Sequence, residues 1–259
     1  MVTDGLRLVD PPRSNSAGAG VEWIGAGWRL FAKAPLMWVV SVLVLFVIAI
    51  VVNFVPFIGQ IAFQVLQPVF AAGYVVACRS LETGSEFEIE HMFAGFKRNF
   101  ANLLIVGLLL FAGFVVMFLA FAVFAGFGLV TAFMSGGGAS DLVTAGMASA
   151  MSILIGLLVM LLLLVPLLMF YWFAPALVMM HDMAPVAAMK ESFRGCMRNI
   201  VPFLIYGLVM MLLSFIAVIP FGLGMLVWVP VAITSTYAAY RSIYTEEPVP
   251  AEPAMARAA

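Results

Sequence analysis

The residues able to do chemistry are few. Gln60, Gln64 and Gln67 stand at i, i+4 and i+7, which places three amides on one face of a helix. They lie inside an apolar run, where an amide cannot face lipid cheaply and must meet another helix, a polar cavity or a ligand. Hydrogen bonding between helices, with Thr234, Ser235 and Thr236 as partners, is the plainer expectation, and a polar cavity or ligand the other. Arg98 and Arg198 hold one place in a stretch that occurs twice, Phe93-Ala-Gly95-Phe-Lys-Arg98-Asn99 and Phe193-Arg-Gly195-Cys-Met-Arg198-Asn199. A guanidinium at such a point can reach lipid headgroups and hold a phosphate through two parallel hydrogen bonds, or simply serve the bias of positive charge toward the cytoplasm. The two histidines, His91 and His181, are ninety residues apart and read as surface residues. Cys78 and Cys196 read as buried small apolar side chains. No CxxC or HxxxH spacing, glycine-rich phosphate loop or nucleophile elbow occurs. We therefore expect no catalytic residues, no metal and no cofactor, and a protein that is not an enzyme.

The elements that carry these residues follow from composition and period. Of 259 residues 65% are apolar and 10% charged, too apolar for a soluble core, so lipid must solvate much of the chain. A formal charge of −1 argues against nucleic acid. From Val21, a helical period puts Val21, Ile24, Trp28 and Phe31 on one face and charges on the other, the pattern of a helix lying in a membrane interface. A second such helix runs from Ser85, with Ser85 and Glu88 as a capping box and Ile89, Met92, Phe93, Phe96 and Phe100 as its apolar face. A third has Val186, Met189, Phe193, Cys196, Met197 and Ile200 on one face, with Asp182 as N-cap and Pro185 in the first turn. After each interfacial helix the chain turns sharply. Asn99 suits that elbow because its short side chain tolerates left-handed geometry and can cap the next helix.

Each elbow leads into apolar segments. Leu36 to Phe54 spans roughly 28 Å as a helix, one hydrocarbon thickness. The uncharged run from Phe100 to Met134 would reach roughly 52 Å, and an equally long segment returns after a turn at 135–141. The expected fold is all-α: a polytopic membrane protein of six transmembrane helices arranged as three hairpins, each preceded by an amphipathic helix on the cytoplasmic face. Residues 1–20 and 245–259 read as disordered tails, and 21–244 as the membrane domain, in units of about 21–80, 81–182 and 183–244. Pro68-Val69 with Arg79-Ser80 recurs as Pro230-Val231 with Arg241-Ser242, so the units look like parallel tandem repeats. All 12 Lys and Arg residues fall outside the three hairpin turns, which predicts that both termini and both large charged loops lie in the cytoplasm.

The units resemble a family of bacterial six-span membrane proteins related to the membrane domain of some glycerophosphoryl diester phosphodiesterases. The likeness is carried by Pro68-Val-Phe-Ala-Ala-Gly73 running to Arg79 and Gly84, then Phe93-Ala-Gly95-Phe96, Phe173-Ala-Pro175-Ala, Ala188-Met-Lys190-Glu-Ser192-Phe193 and Arg198-Asn199, within about residues 21–244. It implies this fold and a bacterial inner-membrane location, and carries no catalytic residues. The expected function is a non-enzymatic lipid-interacting or scaffolding component with membrane lipids, and membrane proteins, as partners. The alternative is a transporter or permease for a small apolar or amphipathic solute, supported by Gln60, Gln64 and Gln67.

Overall fold

The computed structural model describes residues 6–134 and 139–246. These fold into α1 (Ala19–Lys33), α2 (Pro35–Asn53), α3 (Ile58–Glu82), a 3₁₀ turn (Ile89–Phe93), α4 (Ala94–Lys97), α5 (Phe100–Met134), α6 (Ala139–Tyr171), α7 (Ala174–His181), α8 (Pro185–Arg198), α9 (Ile200–Val218) and α10 (Met225–Tyr244). Among the described residues five stretches are long and apolar enough to cross a membrane: Pro35–Asn53, Ile58–Glu82, Phe100–Gly128, Val143–His181 and Ile200–Val218. This marks an all-helical membrane protein. α10, expected as a sixth span, is not among the five. It carries Thr234, Ser235, Thr236, three tyrosines and Arg241, and buries most of them inside the protein. The expected turn at 135–141 lies partly outside the described residues, and α6 begins at Ala139.

Neighbouring long helices run antiparallel in pairs. Gly59 lies against Val52 and Tyr74 against Trp38, pairing α2 with α3. Gly113 meets Leu167 and Gly128 meets Ser149, pairing α5 with α6. Gly224 meets Ala217, and Trp228 Nε1 donates to Met210 O at 3.0 Å, pairing α9 with α10. The termini of the described chain and the charged residues from 79 to 98 and 182 to 198 gather at one end, here called the charged end. The turns at 54–57 and 219–224 form the opposite, turn end.

At the charged end the amphipathic helices pack differently from the sequence expectation. α1 buries Trp23, Ala26, Gly27, Leu30 and Phe31, while Val21 and Trp28 stay exposed. The small residues decide this, because Gly27 lets the α1 backbone lie directly on Ser235 of α10. α8 likewise buries Ala188, Met189, Ser192, Gly195 and Cys196 and leaves Val186 and Met197 outside. Both helices thus keep a second apolar strip facing away from the protein.

The expected helix after Ser85 is instead the short 3₁₀ turn followed by α4. Its capping box lies three residues later than expected: Glu88 caps the turn, and its backbone N–H donates to His91 Nδ1 at 3.1 Å. Thr83 closes α3, its hydroxyl donating to Arg79 O and Ser80 O. Asp182 is not the N-cap of α8; it ends α7 in the left-handed region at φ 51°, and Ala184 precedes Pro185 at the α8 start. Asn99 does adopt positive φ, 58°, at its elbow, whereas Asn199 at the equivalent elbow has φ −126°. Neither side chain caps the following helix.

Residues 6–18, expected as part of a disordered tail, form a strap over the charged end. Val9 N donates to Tyr244 O, and Arg13 N to Ile243 O, both at 2.8 Å. Asn199 receives Asn15 N on its Oδ1 and donates Nδ2 to Arg13 O. Beyond Glu246 the expected C-terminal tail lies outside the described residues.

Candidate functional site

An apolar cleft of about 900 Å³ lies between α3, α6, α7, α9 and α10. Along α9 it runs from Ile200 to Ser214, about 21 Å at 1.5 Å per residue. It is therefore long and narrow, parallel to the helices. Ile200, Leu204 and Met211 on α9 and Val165 on α6 line it and are exposed, so it is open rather than enclosed.

Local sequence explains the opening. Pro175 has no N–H to offer, and the helix breaks at Trp172–Phe173 between α6 and α7. The hydroxyl of Ser192, fully buried on α8, enters the break: it donates to Met169 O at 2.7 Å and accepts from Phe173 N at 2.9 Å. A side chain inserted in a helical ladder fixes a bend. Gly207 of α9 faces the cleft with nothing within 4 Å of where a Cβ would sit.

At the charged end the wall is aromatic: Trp172, Phe173, Phe203, Tyr206, Tyr237 and Tyr240. Several tyrosine hydroxyls are committed to the protein, leaving rings toward the cleft. Tyr206 shares a 2.8 Å hydrogen bond with Ser235, Tyr240 shares one of 2.7 Å with His181, and Tyr237 donates to Glu82 Oε2 at 2.7 Å. Trp172 Nε1 is different: it is buried and has no acceptor among the described residues. An indole N–H left in that state costs about 1–3 kcal/mol.

Behind Tyr237 sits a buried ionic cluster. Glu82 accepts from Arg79 Nη1 at 2.9 Å and from Arg241 Nε at 3.0 Å, and Arg241 also donates to Thr245 Oγ1 at 2.9 Å. The cluster ties α3 to α10. Its trace in the sequence is the expected repeat, which would pair Arg79 with Arg241.

Of the sequence-predicted residues, Gln67 lines the cleft at its turn end, together with Ser214 and Trp228, while Gln60 and Gln64 do not. None of the three glutamines hydrogen-bonds another described residue, and Gln60 and Gln67 are exposed. Thr234 donates to Pro230 O and Val231 O of its own helix, Ser235 pairs with Tyr206, and Thr236 lines the cleft. Arg98 and Arg198 lie apart from the cleft. Arg98 pairs with Asp182 at 2.7 Å, Asn99 Nδ2 joining the same carboxylate, and Arg198 donates to Pro12 O at 2.8 Å. These contacts hold the Asp182 carboxyl below its ordinary range, the Asn99 hydrogen bond foremost.

Cys78 and Cys196, free and buried, both line the cleft. Burial pushes the Cys196 thiol up to about 12, which makes it unreactive. Among the described residues no three His, Cys, Asp or Glu side chains converge to hold a metal ion. The arrangement suits a long apolar chain. No family model, no curated protein and no solved structure matches the chain.

Proposed function

We propose that this chain is a six-span protein of the bacterial inner membrane, built of three tandem hairpin units, that holds lipid in the cleft and works as a non-enzymatic lipid-interacting component. α10 is the sixth span, shielded from lipid by α1 and α9, so it can be more polar than the others. The charged end lies in the cytoplasm with both termini, in keeping with the placing of the 12 Lys and Arg residues. Outward strips on α1 and α8, with Val21, Trp28, Val186 and Met197 exposed, sit among the headgroups. Arg98 and Arg198 lie at the same level, where the guanidinium edges not used by Asp182 or Pro12 contact lipid phosphate.

The observation that carries this reading is the cleft itself. It falls within the roughly 300–1,000 Å³ of small-molecule sites, is almost wholly apolar, and opens through residues that face the membrane. A second reading, passage of a small amphipathic solute, draws on Gln67 at the far end of the same cleft. The test is native mass spectrometry after gentle detergent extraction. The wild type should retain lipid through delipidating washes, and Gly207→Phe, which fills the cleft, should lose it. Equal retention in both would mean that lipid sits elsewhere; no retained lipid in the wild type would overturn the reading. Solute flux in proteoliposomes would favour the second.

A further inference from the structure

A second cavity, of about 740 Å³, opens at the charged end beside the elbow between α1 and α2. Its walls follow from local chemistry. Ala34, at φ −148°, ends α1 one residue before Pro35 starts α2. On the other element α3 closes at Thr83, and Gly84 at φ 83° turns the chain in a left-handed conformation that glycine adopts freely. Phe87 then points inward, buried, with its ring 4.7 Å from that of Trp38, which anchors the loop to α2. Met37, Phe87 and Ile89 give the cavity an apolar lining, and Lys33, Glu86 and Glu88 give it charge.

These charged residues are exposed, within reach of an occupant, and they do not satisfy one another. Lys33 Nζ donates to Leu81 O at 2.7 Å. That bond fixes a side chain that otherwise wanders, and leaves two of the three ammonium N–H donors for a ligand. The Glu88 carboxylate caps the 3₁₀ turn. Glu86 pairs with no cation and accepts no hydrogen bond among the described residues, and Lys33 forms no ion pair there. A fixed cation and a free carboxylate thus line one cavity without closing on each other, which suits a group that carries both charges. Two carboxylates beside one ammonium disfavour an anionic ligand. A carboxylate calls for N–H donors, and the single ring of Phe87 makes no aromatic cage, so the ligand's cation is a primary ammonium rather than a quaternary one. The cavity also adjoins apolar surface, since Met37 lines it from the first turn of α2 and Leu36 beside it is 73% exposed. Resting on the reading above that puts the charged end at the cytoplasmic interface, we infer that this cavity is a headgroup site for an amine-bearing phospholipid of the phosphatidylethanolamine class. Lys33 donates to the phosphate, and Glu86 accepts from the ammonium.

The test offers delipidated protein in detergent an equimolar mixture of phosphatidylethanolamine, phosphatidylcholine and phosphatidylglycerol with the same acyl chains, and counts bound lipids by native mass spectrometry. The wild type should take phosphatidylethanolamine about two- to five-fold over either of the others. Glu86→Gln removes a charge that holds no other described residue, so the fold is kept, and should bring phosphatidylethanolamine down to the level of phosphatidylcholine. Lys33→Met should weaken all three, because each carries the phosphate. Gly207→Phe, which fills the apolar cleft, should leave the headgroup preference as it is; its loss there would place phosphatidylethanolamine in the cleft and overturn this site. No preference in the wild type, or one that survives Glu86→Gln, would also overturn the site, while lipid retained by the wild type and lost in Gly207→Phe would leave the cleft reading standing. Soluble glycerophosphoethanolamine that displaces the lipid at equal concentration would assign the cavity to a free phosphoamine and overturn the lipid as its source.

Discussion

Gly107 and Gly207 offer a comparison in which one chemical change should act with opposite sign. Both are mid-helix glycines in matching segments, so replacement by alanine gains the same helix propensity, about 0.5–1 kcal/mol. At Gly107 the added methyl would fall 2.0 Å from Val65 O, where ordinary contact begins at 3.4 Å, so α5 and α3 must move apart. Such overpacking costs about 1–3 kcal/mol. At Gly207 the methyl enters open space. Gly107→Ala should therefore be destabilised on balance and Gly207→Ala slightly stabilised. Propensity cancels between them, leaving a gap of about 1–3 kcal/mol that belongs to packing alone. Thermal unfolding of both variants and the wild type in one detergent reads this as Gly207→Ala melting above the wild type and Gly107→Ala below it. If both move the same way by the same amount, the seam at Gly207 is closed and the reasoning about the cleft fails.

Two further outcomes follow from the charged end. Glu82→Leu leaves Arg79 and Arg241 facing each other in a buried site and should cost about 3–5 kcal/mol, with partial recovery when Arg241→Leu is added; a loss under about 1 kcal/mol in chemical unfolding would show that the cluster contributes little. The Asp182 carboxyl is held below its unfolded value near 3.8, so its contacts with Asn99 and Arg98 stabilise the fold above that pH and are lost as pH falls through the lower folded value. Acid unfolding of Asp182→Asn should show a flatter limb below about pH 4 than the wild type, and superimposable limbs would remove Asp182 from the acid response.

Period and punctuation carried much of the fold. The long uncharged runs, the elbows at Pro35, Asn99 and Asn199, and Pro185 at the start of α8 were all legible, because each follows from local backbone chemistry. The buried faces of α1 and α8 were not. Hydrophobicity ranked Val21 and Trp28 above Ala26 and Gly27, yet close approach to α10 selected the small residues, and the larger ones faced outward. Asp182 has the residue type and spacing of an N-cap and was taken instead by Arg98 and Asn99, eighty residues away. The cleft left almost no local mark. It arises where α6 and α9 stand apart, and of the three glutamines singled out from sequence only Gln67 touches it, beside Cys78, Cys196 and Thr236. Glu82 reads as one more acid in a charged loop until α10 brings Arg241 against it.

The lengths of the helix pairs have a mechanical consequence. α2 and α9 have 19 residues each, about 28 Å, whereas α5 has 35 and α6 has 33, about 50 Å. Even at the steepest usual tilt, near 40°, the middle pair would stand roughly 10 Å taller than a bilayer core. Its far end is still apolar, with Val123, Phe127, Val130 and Phe133 exposed on α5 and Met147 and Met151 on α6. Lipid beside this pair must stretch to cover those side chains, while lipid beside the other two pairs keeps its relaxed thickness. The protein therefore imposes a step in bilayer height across its own width, at a cost of fractions of a kcal/mol per Å. Such a step stores elastic energy in the surrounding membrane, and that energy falls wherever the bilayer already changes thickness, so such boundaries should draw the protein to them.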